Sequence, residues 1–254
     1  MTEHPDNRPA VLTSGPGESR YLVFTTFVAG AIIMVLELIG SRVIGPPFGV
    51  SLFVWTPLIS VALVVLALGY WIGVKLADRV STPAALFNII LIAGVFTFTI
   101  PLTKGFIMEH ALSLGLRGGS LVSSAALFGP PLFFLGMVAP YTVKLYMKDG
   151  LERVGKTVGA LYAISTCGSF LGTIFTGFLL IPNLGVNNII YLSSATLLAI
   201  TALYWVIFRR KVTFDNGPFL FTDDYNPVDF EDRRAREAFR YSTVSTADKE
   251  IMIY

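Results

Sequence analysis

Six stretches of this sequence run apolar for 21 to 24 residues: Tyr21–Ser41, Phe53–Val74, Pro83–Thr103, Leu121–Val143, Val158–Ile181 and Asn187–Phe208. Crossing a bilayer takes about 20 residues at a rise of 1.5 Å each. Five of the six contain no Asp, Glu, Lys or Arg, and the first contains one, Glu37. Hydrocarbon offers no water to pair backbone N–H and C=O groups, so each stretch is expected to be a helix. Composition agrees, because only 14% of residues are charged where a soluble domain carries roughly 25%. The expectation is an all-α membrane protein with six transmembrane helices.

Orientation follows from the basic residues. With the polar N-terminus in the cytoplasm, that side holds Arg8, Arg20, Lys75, Arg79, Lys144, Lys148, Arg153, Lys156, Arg209, Arg210 and Lys211. The opposite side holds Arg42, Lys104 and Arg117. The bias predicts a multi-pass protein of the inner (cytoplasmic) membrane with both termini in the cytoplasm. Residues 1–20 form a polar N-terminus without the basic start and cleavage site of a signal peptide, so the first helix is expected to be retained. Residues 21–211 form the transmembrane domain, and 212–254 a short acidic cytoplasmic tail.

The tail has nine acids and five bases. Pro227 and the acids after it suit the start of a helix over about Val228 to Tyr241. At 43 residues it is too short to bury a core alone. Two gaps, Pro46–Ser51 and Pro182–Asn188, read as outer turns. The connection Lys104–Ser120 reads either as an amphipathic surface helix or as an irregular loop.

Glu37 is the first candidate for chemistry. A carboxylate among apolar residues is costly in a bilayer and marks either a proton or substrate-cation site, or a side chain near the helix end held by Arg42 or Ser41. Helix four carries Pro130, Pro131 and Pro140, which read as a bent packing helix or as the interrupted helix of a substrate site. Small residues four apart predict close helix packing: Gly69 with Gly73, and Gly168 with Gly172. The latter pair is flanked by a row of Gly159, Ala163 and Cys167 and a row of Ser165, Ser169 and Thr173. Cys167 therefore reads as a packing residue. In the tail, Asp223, Asp224 and Tyr225 open an acidic cluster that reads as a docking or cation site, or as a solvated face. The sequence contains no dinucleotide fingerprint or P-loop, and no nucleophile elbow or zinc-protease motif. One cysteine and two distant histidines, His4 and His110, give no metal cluster. Catalytic residues, cofactors and nucleic-acid partners are not expected.

Gly73-Val74-Lys75-Leu76-Ala77-Asp78-Arg79 resembles the G-x-L-a-D-R loop of major-facilitator transporters, although Val80-Ser81-Thr82-Pro83 replaces the Gly and basic residues that continue that loop. The wider pattern is similar to the membrane half of the fused major-facilitator/spermidine-synthase family. The stretches that carry the resemblance are residues 34–79, 136–145 (GMVAPYTVKL), 154–188 and the tail segment 220–230 (LFTDDYNPVDF). It implies half of a major-facilitator-like bundle, with Glu37, Arg42, Asp78, Arg79 and Tyr162 at matching positions. The fused family's Rossmann-like domain has no room between Phe208 and Phe219, so none of its catalytic or cofactor residues carries over. The expected function is a non-catalytic membrane subunit in the lipid bilayer, acting with a separately encoded aminopropyltransferase-like domain in polyamine metabolism. The alternative is a half-transporter that carries polyamines or other organic cations as a homodimer.

Overall fold

A computed structural model describes residues 16–49, 52–146 and 154–208. Every element among them is helical: α1 Pro16–Phe48, α2 Leu52–Arg79, α3 Pro83–Ala111, a 3-10 turn Leu112–Leu114, α4 Gly115–Tyr146, α5 Val154–Phe175, a π turn Thr176–Leu180, a single turn α6 Ile181–Asn183, and α7 Val186–Phe208.

Five segments are long and apolar enough to cross a membrane, against six expected from apolar length alone. The difference lies in Pro83–Tyr146, which is 64 residues long and holds both α3 and α4. These two helices pack along each other, joined by the 3-10 turn and by Gly115 at φ +70°, ψ −178°. Only glycine adopts that backbone readily. The Lys104–Ser120 connection is thus neither a surface helix nor a loop. With no proline from Leu102 to Gly115, helix α3 simply continues to Ala111 and α4 starts at the glycine.

Other boundaries also move. Helix α1 runs through Pro46 and Pro47 and ends at Gly49, whose φ is +82° and whose N–H donates to the Gly45 carbonyl at 2.7 Å. A glycine past the end in the left-handed region is a common helix stop, and it acts here where the paired prolines do not. The second gap narrows to Leu184 and Gly185, between α6 and α7. Helix α4 stays helical through Pro130, Pro131 and Pro140, and the irregular stretch is the π turn after α5. Thr82 caps α3 by accepting from the Ala85 N–H at 3.4 Å, with Pro83 in the first turn.

Helix α4 is the hub, packed along α2 and α3 and against α1, while α5 lies on α1 and α7 lies on α3. Tyr141, Phe128, Leu132 and Leu135 of α4 are fully buried. Glycine rows set the closest seams. A Cβ on Gly69 would stand 2.5 Å from the Phe133 carbonyl oxygen, and one on Gly73 2.9 Å from Met137 Cα. A Cβ on Gly168 would stand 2.0 Å from the Phe27 carbonyl oxygen, and one on Gly172 2.7 Å from Ala31 Cα. The flanking Ser169 hydroxyl donates to the Gly30 carbonyl at 3.0 Å. The other flanking row behaves differently. Gly159, Ala163 and Cys167 are exposed, and a Cβ on Gly159 meets nothing within 4 Å. Cys167 therefore does not pack inside this chain.

The two ends of the bundle are identified by cross-helix contacts. At one end the Tyr146 hydroxyl donates to the Ser19 carbonyl. Nearby, the Tyr21 hydroxyl donates to the Ile200 carbonyl at 2.6 Å, and Phe87 stacks on Tyr204 with centroids 3.8 Å apart. At the other end Phe48 packs on Gly119, and the Ser120 hydroxyl donates to the Phe53 carbonyl at 2.7 Å. The predicted tail helix and Asp223, Asp224 and Tyr225 lie outside the described residues.

Candidate functional site

Glu37 lies farther from the end of its helix than a 21–41 helix implies. Because α1 continues to Phe48, eleven residues separate Glu37 from the helix end, about 16 Å at 1.5 Å per residue. Neither of its expected partners bonds it. Arg42 is five residues on, rotated about 140° around the helix, and exposed. Ser41 donates to the Leu38 carbonyl at 3.1 Å. Among the described residues the one ion pair is Asp78–Lys144, and Glu37 has no hydrogen-bond partner there. The half-buried carboxylate is therefore not neutralised by its own helix.

Glu37 and Tyr162 both lie within electrostatic reach of the Tyr70 hydroxyl. Helix packing fixes their order. Gly168 meets Phe27 and Gly172 meets Ala31, so α5 runs parallel to α1 and Tyr162 lies level with about residue 21. Helix α4 runs antiparallel to α1, since Thr142 faces Thr26 at 3.2 Å and Tyr146 meets Ser19. Gly69 abuts Gly136, which puts Tyr70 level with about residue 31 of α1. Tyr162, Tyr70 and Glu37 thus form a file along the bundle, supplied by three helices. Helices α2 and α5 are the least buried of the apolar segments and make at most marginal contact with each other.

The other matched residues cluster at the Ser19 end. Asp78 Oδ1 and Lys144 Nζ are 2.6 Å apart, both half-exposed. Arg79 is exposed, and Lys75 sits over the Trp71 ring at 3.5 Å. Between α2 and α3, the Tyr141 hydroxyl donates to the Val80 carbonyl and accepts from the Thr82 N–H at 3.4 Å. By level, Tyr162 therefore falls with Asp78 and Arg79 at the Ser19 end, about 24 Å along the axis from Glu37. Arg42 joins neither Glu37 nor this cluster.

Sequence reasoning missed Tyr70, whose signal was a phenol in a span otherwise free of titratable groups. It also missed Lys144 as the partner of Asp78. No group of three or more His, Cys, Asp or Glu side chains that could hold a metal ion occurs among the described residues. Compared with protein families, with curated proteins and with solved structures, the chain matches none.

Proposed function

We propose that this chain is a non-catalytic subunit of the cytoplasmic membrane, crossing it six times with both termini in the cytoplasm. It acts with a separately encoded aminopropyltransferase-like domain in polyamine metabolism. The observation that carries the reading is that two stretches of the family resemblance meet in space, Asp78 of 34–79 pairing with Lys144 of 136–145. The segregation of basic residues supports the orientation. Arg20, Lys75, Arg79 and Lys144 share the end marked by Ser19, while Arg42, Lys104 and Arg117 share the end marked by Phe48. The test is extraction in mild detergent and mass spectrometry of the proteins that co-purify. A stoichiometric soluble protein with a Gly-rich nucleotide loop, lost on deletion of residues 212–254, is the expected result. Recovery of the chain alone at every salt concentration removes the reading.

A second reading is favoured by the file of Tyr162, Tyr70 and Glu37. An intramembrane carboxylate without a basic partner, with the Tyr70 phenol in electrostatic reach, suits an organic cation. On this reading the chain is a half-transporter for polyamines or other organic cations that works as a homodimer. Counterflow of labelled amine in proteoliposomes tests it, and absence of uptake with and without a proton gradient removes it.

A further inference from the structure

Thr176 opens the π turn after α5. Its side chain is fully buried, and its hydroxyl has no hydrogen-bond partner among the described residues. This sets it apart from its neighbours on the same helix. Thr166 donates to the Tyr162 carbonyl at 2.9 Å and Thr173 to the Ser169 carbonyl at 2.8 Å, as threonines in helices commonly do. The backbone is altered at the same point, since the Ile181 N–H donates to the Thr176 carbonyl in the wider five-residue register. Single π turns of this kind recur at functional sites.

The register places Thr176 within one helical turn of Glu37 along the axis. Gly168, Gly172 and Thr176 form one row, and its first two members abut Phe27 and Ala31 of α1. The next step of four brings Thr176 level with Val35; Glu37 lies about 3 Å further along the axis and, seven residues after Gly30, on nearly the same face of α1 as that glycine, which meets Ser165 and Ser169 of α5. The π turn also touches α1. A carboxylate without a counter-charge and a buried hydroxyl without a partner thus fall within one helical turn at the α1–α5 seam. Either group alone is costly in a low-dielectric interior, and both are satisfied by one positive charge with room for several oxygen donors.

We infer that Glu37 and Thr176 form an intramembrane site for a monovalent cation held by oxygen donors, an alkali ion or a primary ammonium head. A single carboxylate balances a single charge, whereas a divalent ion leaves an excess in the membrane. The site shares Glu37 with the second reading but needs neither a soluble partner nor transport, so a thermal shift by salt and amine counterflow can fail independently.

The test uses the full chain in detergent and follows its unfolding temperature. Choline chloride is replaced stepwise at constant ionic strength by sodium chloride, potassium chloride or methylammonium chloride. A saturable rise with at least one of these is expected, because a ligand that binds only the folded state raises its stability. The effective salt separates the alkali ion from the ammonium. Glu37→Gln should abolish the rise. Thr176→Val should weaken the apparent affinity by about tenfold or more, while Thr176→Ser stays within a few-fold of wild type. If Glu37→Gln cannot be purified, the Thr176 pair decides alone. Identical unfolding temperatures in all four salts, or a rise that Thr176→Val leaves unchanged, overturns the inference.

Discussion

Lys144 reaches Asp78 at 2.6 Å and ties the last turn of α2 to the last turn of α4. Three residues before Lys144, Tyr141 holds the Val80 carbonyl, so one face of α4 grips the α2–α3 connection at two points. The buried tyrosine and the exposed ion pair differ in their contributions. Tyr141 is fully buried and fills the core. The ion pair is wet, and water screens it.

The first expectation rests on that exposure. With side chains 44% and 49% exposed, neutralising either Asp78 or Lys144 should cost only about 0.2–1 kcal/mol. The charge-swapped pair, Asp78→Lys with Lys144→Asp, should recover most of the loss. A double-mutant cycle on thermal unfolding in detergent checks this, and the coupling should shrink as salt is raised. A loss of several kcal/mol at either site would mean that the pair is far less hydrated than its exposure indicates.

The glycines of α5 give a sharper contrast. A Cβ on Gly168 collides with the Phe27 backbone, which cannot swing aside as a side chain can. Gly168→Leu should destabilise by at least the 1–3 kcal/mol typical of overpacking. Gly159→Leu places its side chain in open space and should leave the unfolding temperature nearly unchanged. Equal effects at the two sites would show that the α1–α5 seam is not built on the Gly168 row.

These glycines also show how far the fold is legible in the sequence. Apolar length locates the helices, because hydrocarbon forces backbone pairing within each segment. The Gly69–Gly73 and Gly168–Gly172 rows point to real close seams. Spacing alone does not show which neighbouring row faces inward, since rows on either side of Gly168 are both small. Ser165 and Ser169 face α1, whereas Gly159, Ala163 and Cys167 face out. Prolines mislead as helix stops, because Gly49 and Gly115 set the turns instead. The same error places Glu37 too near the end of its helix. Tyr70 and Thr176 give no local pattern, since their relation to Glu37 depends on how three helices pack.

Two neighbouring serines of α4 separate a hydrogen bond from a mere polar atom. Ser120 donates to the Phe53 carbonyl at 2.7 Å and links α4 to α2. Ser123 is fully buried, and its hydroxyl has no partner among the described residues. Ser120→Ala should cost about 1 kcal/mol, whereas Ser123→Ala should be neutral or stabilising by a similar amount, since it removes a buried group that no bond offsets. Thermal unfolding of the two variants side by side is the check. A clear destabilisation by Ser123→Ala would reveal that its hydroxyl is bonded in the membrane.

Six crossings make a definite claim about sides. Val80 comes directly after α2, Ser113 lies in the 3-10 turn between α3 and α4, and Leu184 lies between α6 and α7. If α3 and α4 each cross, Ser113 and Leu184 face outward and Val80 faces the cytoplasm. Cys167 is the sole cysteine, so Cys167→Ser gives a clean background for single cysteines at the three positions. A membrane-impermeant maleimide should label Ser113→Cys and Leu184→Cys in intact cells, and Val80→Cys only after permeabilisation. Val80 and Leu184 are substantially exposed, so access is not limiting there. Labelling of Ser113→Cys from the same side as Val80→Cys would show that α3 does not cross. The 64-residue segment would then have to enter and leave by one face, and the orientation drawn from the basic residues would fail with it.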